Sequence, residues 1–130
     1  MIDIVIQSNQ DGFEYVAVKG HANSDEYGKD LVCAAVSAVV IGAFNNIHGT
    51  ADKEVVMGVE NGFCSIEFIK PISNYDKIVI ETLICQLKTI RESNKKFVRI
   101  IKITTLFIIL ILFFILIFAF IHFLFYIKSV

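Results

Sequence analysis

GHANSDEYGKDLVCAAVS, residues 20–37, is the segment that decides the fold, because a polar loop gives way to an apolar helix within it. Residues 20–29 are small or polar and glycine-bounded, which is typical of an exposed loop. Apolar residues then recur at spacings of three and four, as on the buried face of a helix. They are Val32, Val36, Val39, Val40, Ala43 and Ile47. We therefore predict a helix capped at its start by Asp30 and stopped at Gly49.

Strand patterns lie on both sides of this helix. Apolar and other residues alternate over residues 2–6 and again over residues 13–19, which predicts an opening β-hairpin. After the helix, residues 54–60 and 63–70 flank Asn61-Gly62, a strong hairpin signal. The sequence therefore predicts two hairpins, one before and one after the first helix.

The remaining elements complete an α+β pattern. Ser73 is a candidate cap for a second helix, and residues 97–103 are rich in strand-forming residues. The order becomes ββα-ββα-β. We expect a mostly antiparallel sheet built from two β-hairpins plus a final strand, with two helices packed on it, followed by a hydrophobic C-terminal helix.

Two residues of the opening segment could carry covalent catalysis. Cys33 falls in the first turn of the predicted helix, where unpaired N–H groups and the helix dipole favour a thiolate. His21 lies on the adjoining loop, so its imidazole could take the thiol proton and later donate it to a leaving amine. The spacing permits this contact without requiring it. Taken alone, a cysteine on an apolar helix is more often a core residue, and a loop histidine is more often only a loop residue.

The other thiols and imidazoles fit ordinary packing better than chemistry. His21, Cys33 and His48 lack the close-spaced ligand pairs of a metal site, so we expect no metal and no cofactor. Cys64, in a predicted strand, and Cys85, on the second helix, are expected to pack in the core. Three cysteines without CxxC spacing indicate free thiols in a reducing compartment.

Residues 20–37 together are more specific than any of their parts. The combination of GHA, YGKDLVC and the following AAVS resembles the signature of the bacterial ribosomal-processing cysteine protease family, Prp. The resemblance covers residues 1–103, the expected protease domain. It implies a homodimer of a small α+β fold that removes an N-terminal extension from large-subunit ribosomal protein number twenty-seven. Cleavage would follow an aromatic residue of that extension.

The resemblance also implies roles for single residues. It makes Cys33 the nucleophile and His21 the general base. Asp30 and Ser37 match supporting positions: Asp30 could orient His21 or only cap the helix, and Ser37 could bond the substrate or a helix carbonyl. A mobile loop that closes over the substrate is implied for residues 23–29, which include Asn23, Ser24, Tyr27 and Gly28. Gly20 and Gly28 bracket this loop and could act as its hinges.

Residues 104–130 depart from the family pattern. Residues 106–127 are almost wholly apolar, and a helix of that length spans about 33 Å, enough to cross a bilayer. The positive-inside rule then predicts a cytoplasmic domain that is tail-anchored to the membrane. The charges behind this prediction are Lys95, Lys96, Arg99 and Lys102 before the segment and Lys128 after it. Because Ile, Phe, Leu and Lys are common products of A/T-rich codons, a read-through segment is the alternative.

The charge balance argues against nucleic acid as a partner. Residues 1–105 carry 11 basic and 13 acidic residues, which is unlike the basic surface of a dedicated nucleic-acid binder. We therefore expect a ribosomal protein as substrate, a second copy of the chain as partner, and no direct nucleic-acid binding. The rival hypothesis is a non-catalytic dimeric module that associates with ribosomes or assists their assembly.

Overall fold

A computed structural model describes residues 1–10, 12–26, 28–48, 55–60 and 62–129. The elements follow the predicted order ββα-ββα-β, with a third helix after the last strand. Their bounds are β1 Ile2–Asn9, β2 Gly12–Lys19, α1 Leu31–Asn45, β3 Val55–Glu60, β4 Phe63–Phe68, α2 Asn74–Ser93, β5 Val98–Thr104 and α3 Thr105–Ser129. The predicted α+β class is therefore confirmed.

One five-stranded sheet, in the order β3-β4-β2-β1-β5, forms the base of the domain. β1 with β2 and β3 with β4 are antiparallel hairpins, and β2 joins the two hairpins by pairing antiparallel with β4. β5 differs, because it pairs parallel with β1, from Ile2 opposite Val98 to Ser8 opposite Thr104. The sheet is thus mostly antiparallel as predicted, with a parallel strand at one edge.

The core lies between one face of this sheet and the two helices. Alternate strand residues supply its floor, namely Ile2, Ile4, Ile6, Val16, Val18, Ile66 and Val98. Helix residues at spacings of three and four supply its roof, namely Val32, Val36, Val40 and Phe44 from α1 and Ile80, Leu83, Ile84 and Leu87 from α2. Removing these apolar side chains from water is the main term that holds the domain together.

Both predicted helix caps are confirmed. The Asp30 carboxylate accepts the N–H of Cys33, and the Ser73 hydroxyl accepts the N–H of Asp76. Asp76 in turn accepts the His48 N–H at 2.9 Å and the Ser73 hydroxyl proton at 2.8 Å. Asp76 is 4% exposed, so these bonds satisfy a carboxylate removed from water.

Two sequence expectations about the helices were wrong. α1 ends at Asn45 rather than near Gly49, which lies outside the described residues. The chain leaves the helix early because the His48 N–H turns to the first turn of α2, where Asp76 accepts it. Cys85, expected in the core, is exposed, because it follows the buried Ile84 and lies off the apolar stripe of α2.

α3 begins without any loop after β5. Residues Ile109–Ile127 form a 19-residue apolar stretch, none of which is buried against the domain. This stretch is long and apolar enough to cross a membrane, as the sequence predicted for residues 106–127. α3 also contacts β1 and β5, and the Thr105 hydroxyl at its start lies 3.4 Å from the Ser8 carbonyl oxygen.

Candidate active site

The start of α1 and the loop before it form one bonded unit. Asp30 lies just before the helix with extended backbone angles, and its Oδ1 accepts the Cys33 N–H at 2.9 Å. The same carboxylate accepts the Ser24 N–H at 3.0 Å and the Ser24 hydroxyl proton at 2.6 Å. These bonds hold the pKa of Asp30 far below its usual 3.8, the Ser24 hydroxyl contributing most. Asp30 therefore ties the loop to the helix.

Cys33 lies in the first turn of α1 and is half-buried. The backbone N–H of Ala22 donates to its Sγ over 3.2 Å. Ala22 itself is 4% exposed, so it is packed into the protein and fixes this donor in place. The sequence permitted a contact between His21 and Cys33 without requiring it, and this bond brings Ala22, the neighbour of His21, to the sulfur.

His21 is exposed, and the tip of the β3–β4 hairpin limits its imidazole. A Cβ atom added to Gly62 would lie 2.7 Å from His21 Nε2, so a larger residue at this point would displace the imidazole. Gly62 also has a φ of +71°, which an L side chain rarely adopts. The Gly20 N–H donates to the Gly62 carbonyl at 2.8 Å, which fixes the hairpin beside the loop.

The His21 backbone is anchored as well. The Met1 amino group donates to its carbonyl oxygen at 2.6 Å. Within the part of the chain that the structure describes, no hydrogen bond joins the His21 ring to Cys33 or to Asp30. Both oxygens of the Asp30 carboxylate are engaged by Ser24, and one of them also accepts the Cys33 N–H. The geometry therefore favours helix capping over imidazole orientation for Asp30.

A cleft of about 260 Å³ brings these groups together. Its polar lining includes His21, Cys33 and Ser37, the last of which lies one helical turn after the cysteine. The rest is mainly apolar side chains and glycine backbone, namely Ile2, Val18, Gly20, Val36, Val40, Ile41, Gly62, Phe63 and Cys64. A thiol and an imidazole at one end of an apolar cleft suit nucleophilic attack on a substrate with a bulky apolar side chain.

The loop residues predicted to cover the substrate have different surroundings. Ser24 is bonded to Asp30, and Asn23 has a φ of +51°, so both are held in a tight turn. Gly28 has a φ of +86° with nothing within 4 Å of its added Cβ, which fits a turn exposed to solvent. Tyr27 lies outside the described residues.

Sequence reasoning missed the part of the cleft lining that β4 and the turn before it supply. Gly62, Phe63 and Cys64 reach it because Lys19 pairs with Phe63 when β2 and β4 align. The Asn61-Gly62 turn signal predicted the hairpin but not its neighbour, and Asn61 itself lies outside the described residues. Cys64 packs against the core, as expected, and also faces the cleft; burial raises the pKa of its thiol.

Comparisons with known proteins agree with this geometry. The family described as "Cysteine protease Prp" matches residues 1–99. The ribosomal processing cysteine protease Prp of Bacillus subtilis (strain 168) is 35% identical over 107 residues, covering 77% of this chain and 96% of its own. Its counterpart from Staphylococcus aureus (strain Mu50) is 32% identical over 103 residues, covering 77% of this chain and 97% of its own.

Solved structures match over the same part of the chain. The crystal structure of an essential ribosomal processing protease Prp from S. aureus, with a covalently linked product peptide, superposes with a TM-score of 0.72 at 30% identity. It covers 78% of this chain and 99% of its own. The same enzyme with a substrate peptide gives a TM-score of 0.67 at 28% identity, with the same coverage.

Proposed function

This chain belongs to the cysteine protease Prp family and is a cysteine protease, and from that premise we propose its substrate and its catalytic residues. The proposed reaction is removal of the N-terminal extension of large-subunit ribosomal protein number twenty-seven. Cys33 is the proposed nucleophile and His21 the proposed general base. The observation that carries this assignment is the Ala22 N–H donating to Cys33 Sγ in a cleft that His21 also lines.

The surroundings of Cys33 support nucleophilic attack. The N-terminal end of α1 and the Ala22 N–H both place partial positive charge near the sulfur, which stabilises a thiolate. His21 takes the thiol proton, and the thiolate attacks the carbonyl carbon of the scissile bond. The tetrahedral intermediate collapses, the C–N bond breaks, and His21 returns the proton to the leaving amine. Water then hydrolyses the thioester and regenerates the thiol.

His21 has to turn toward the sulfur for this transfer. Contacts of this kind are often loose in a free enzyme and tighten when substrate binds. Gly62 lies close to the His21 ring, and both residues line the cleft into which the imidazole is proposed to turn. The hairpin tip is therefore proposed to limit the orientations of the base.

The neighbours of the pair have separate proposed roles. Asp30 positions Cys33 and the loop, because its carboxylate bonds to both. Asp30 also occupies two N–H groups at the start of α1 that could otherwise bind an oxyanion. Its carboxylate accepts the Cys33 N–H, and its carbonyl oxygen accepts the Ala34 N–H at 3.0 Å. The Ala22 N–H beside the sulfur is the proposed oxyanion donor. Ser37, on the cleft wall, is proposed to bond the substrate backbone.

The cleft and the substrate loop are proposed to determine which peptide the enzyme binds. An aromatic side chain before the scissile bond would bury its ring against Val36, Val40 and Phe63. The loop that contains Gly20, Asn23, Ser24, Tyr27 and Gly28 is proposed to close over the bound extension, a movement that requires the Ser24–Asp30 bonds to open. Closure would exclude water from the thioester until the amine product leaves.

The remaining proposals concern location and assembly. Residues 1–103 act in the cytoplasm as the protease domain, and residues 104–130 carry a membrane-spanning helix within 106–127. The enzyme is proposed to form homodimers and to bind no nucleic acid directly. Membrane association restricts which ribosomal particles the enzyme meets but leaves its chemistry unchanged.

The test mixes the full chain, in detergent micelles, with a peptide copying the extended N-terminus of the same organism's ribosomal protein. Mass spectrometry should find one cut after an aromatic residue. Cys33→Ala should abolish that cut while circular dichroism stays unchanged, and the matched control Cys85→Ala, on an exposed face of α2, should cleave normally. Unchanged cleavage by Cys33→Ala would overturn the nucleophile, and no cleavage by any form would favour the non-catalytic module.

A further inference from the structure

The two ends of the sheet carry different functions. At one end lie His21, just after β2, and the hairpin tip Gly62, since Lys19 pairs with both Asp3 and Phe63. At the other end β5 finishes at Thr104, paired with Ser8 at the far end of β1. Because β1 and β5 run parallel from the first end to the second, α3 leaves the domain at the end opposite the active-site cleft.

The junction between β5 and α3 is short and bonded. Thr105, the first residue of α3, donates its hydroxyl proton to Glu14 Oε2 at 2.7 Å, and the Ser8 carbonyl lies 3.4 Å from the same hydroxyl. Glu14 also accepts from Gln7 Nε2 at 3.0 Å and from Asn9 Nδ2 at 2.8 Å. With no loop and with bonds to both β1 and β2, the helix start is fixed to the sheet.

Two other connections lie at the same end of the sheet as the junction between β5 and α3. The β1–β2 turn and the connection from β4 to α2 meet there, with Gly12 directly against Ile72. Ile69, in that connection, is 60% exposed. An exposed apolar side chain at the same end of the sheet as the start of an apolar helix suits the boundary between lipid headgroups and acyl chains.

Simple lengths give the distance between the cleft and the membrane. From Val98 to Thr104 a strand rises roughly 20 Å, and the four helical residues before Ile109 add about 6 Å. The end that carries Gly62 and His21 is level with Val98, because Ile2 pairs with Val98 and Asp3 with Lys19. With α3 continuing along the direction of β5, the cleft lies on the order of 25 Å from the hydrocarbon.

We propose that the lipid bilayer occupies the whole surface of α3 from Ile109 to Ile127 and that the bonded junction holds the domain upright on it, with the active-site cleft at the end farthest from the membrane. The sheet end formed by the β1–β2 turn and by Ile69 faces the headgroups. A ribosomal particle then reaches the cleft without contacting lipid. This orientation rests on the proposed membrane insertion, not on the identity of the substrate.

The test places a fluorescent probe at either end of the full chain. Gln10→Cys labels the junction end and Lys96→Cys labels the cleft end, both exposed, in a background of Cys33→Ser, Cys64→Ser and Cys85→Ser. The chain is reconstituted in phosphatidylcholine–phosphatidylglycerol vesicles that contain a lipid with a spin-labelled headgroup. We expect quenching of the Gln10→Cys probe to be at least threefold stronger than that of the Lys96→Cys probe. Equal or reversed quenching would overturn the orientation.

Two further experiments test membrane insertion and the role of the bonded junction separately. A chain that fails to float with vesicles contradicts membrane insertion itself and overturns the proposal. Thr105→Val, which keeps the side-chain shape but removes the bond to Glu14, should narrow the difference between the two probes, as should a flexible insertion after Thr104. If neither change has an effect, the bonded junction does not set the orientation.

A measurement on the wild-type chain covers the case in which the labelled background does not fold. Vesicle-bound enzyme should cleave the extension peptide fused to a globular carrier within about twofold of its rate in micelles. A tenfold loss confined to vesicles would put the cleft against the lipid and overturn the proposal. Because the comparison is a ratio for one enzyme, it is independent of how well the peptide matches the natural substrate.

Discussion

The protease domain and α3 use apolar residues in opposite ways. In residues 1–104 the apolar side chains alternate with polar ones, and the inner set is buried between the sheet and two helices. In α3 they cover the helix all round, and Ile109–Ile127 buries none of them. The first pattern encodes contacts within the chain, whereas the second encodes contacts with surroundings that the chain does not supply. Function divides along the same boundary: catalysis belongs to the first region, and location is proposed to belong to the second.

The largest expected effect comes from a double substitution in α3 that should abolish membrane binding and leave catalysis unchanged. Leu116→Arg combined with Phe118→Arg places two charges mid-helix, where each costs about 3 kcal/mol in a bilayer. These side chains are 69% and 73% exposed in the structure, so the domain core should not change. We expect loss of vesicle flotation with peptide cleavage within about twofold of wild type.

The matched control for that pair is Leu116→Ile with Phe118→Leu, which keeps the helix apolar and should still float. If the arginine variant also loses cleavage in micelles, α3 contributes to the active site and the two regions are not independent.

Alkylation compares thiols inside the protease domain. Iodoacetamide near neutral pH should modify Cys33 at least tenfold faster than Cys64, because burial raises the pKa of the Cys64 thiol and keeps it protonated. Peptide mass mapping over time measures the two rates. Cys33→Ala should remove the fast phase, and similar rates for Cys33, Cys64 and Cys85 would argue against a catalytic thiolate.

A smaller effect is expected at the tip of the β3–β4 hairpin. Gly62→Ala would put a methyl group 2.7 Å from His21 Nε2, so we expect kcat to fall about tenfold while KM changes little. Gly12→Ala is the control, because its φ of +136° carries comparable backbone strain at the sheet end away from the cleft. Equal losses in both variants would show that general destabilisation, rather than displacement of the imidazole, is the cause.

The smallest effect concerns acid stability of the loop. The folded pKa of Asp30 lies below its unfolded value of 3.8, so its contribution is complete above about pH 5 and is lost as the pH falls below about 4. Asp30→Asn keeps a capping oxygen but does not titrate. We expect its Tm at pH 6 to fall by roughly 4 °C, because an amide has one acceptor oxygen whereas both carboxylate oxygens of Asp30 accept from Ser24. Between pH 5 and pH 3 it should lose less than wild type does, and parallel curves would contradict this role.

The sequence predicted most of what local chemistry determines. Asp30 and Ser73 were identified as caps because a carboxylate or hydroxyl before an apolar stripe bonds within its own turn. Cys85 was assigned wrongly although the signal was present: Ile84 and Leu87 define the buried face, and Cys85 lies off it. Closer attention to the helical period would have placed that thiol outside.

Non-local pairing explains what the sequence could not supply. The parallel partner of β1 and the hairpin tip beside His21 both depend on which strands align, and strand alignment is set by the whole sheet. The cleft wall formed by Gly62 and Phe63 follows from that alignment alone. The roles assigned to His21 and Cys33 came from the family resemblance, and they stay predictions until cleavage is measured.

The pairing of β1 with β5 has a consequence for synthesis of the protein. Ile2 pairs with Val98, so β1 lacks its parallel neighbour until nearly all of the domain has been translated. α3 follows β5 directly, and the apolar segment therefore leaves the ribosome just as the last strand is needed. Folding of the domain and the proposed delivery of α3 to lipid would therefore occur at the same stage of synthesis. A chaperone that shields α3 until β5 has docked would prevent aggregation of this chain in the cytosol.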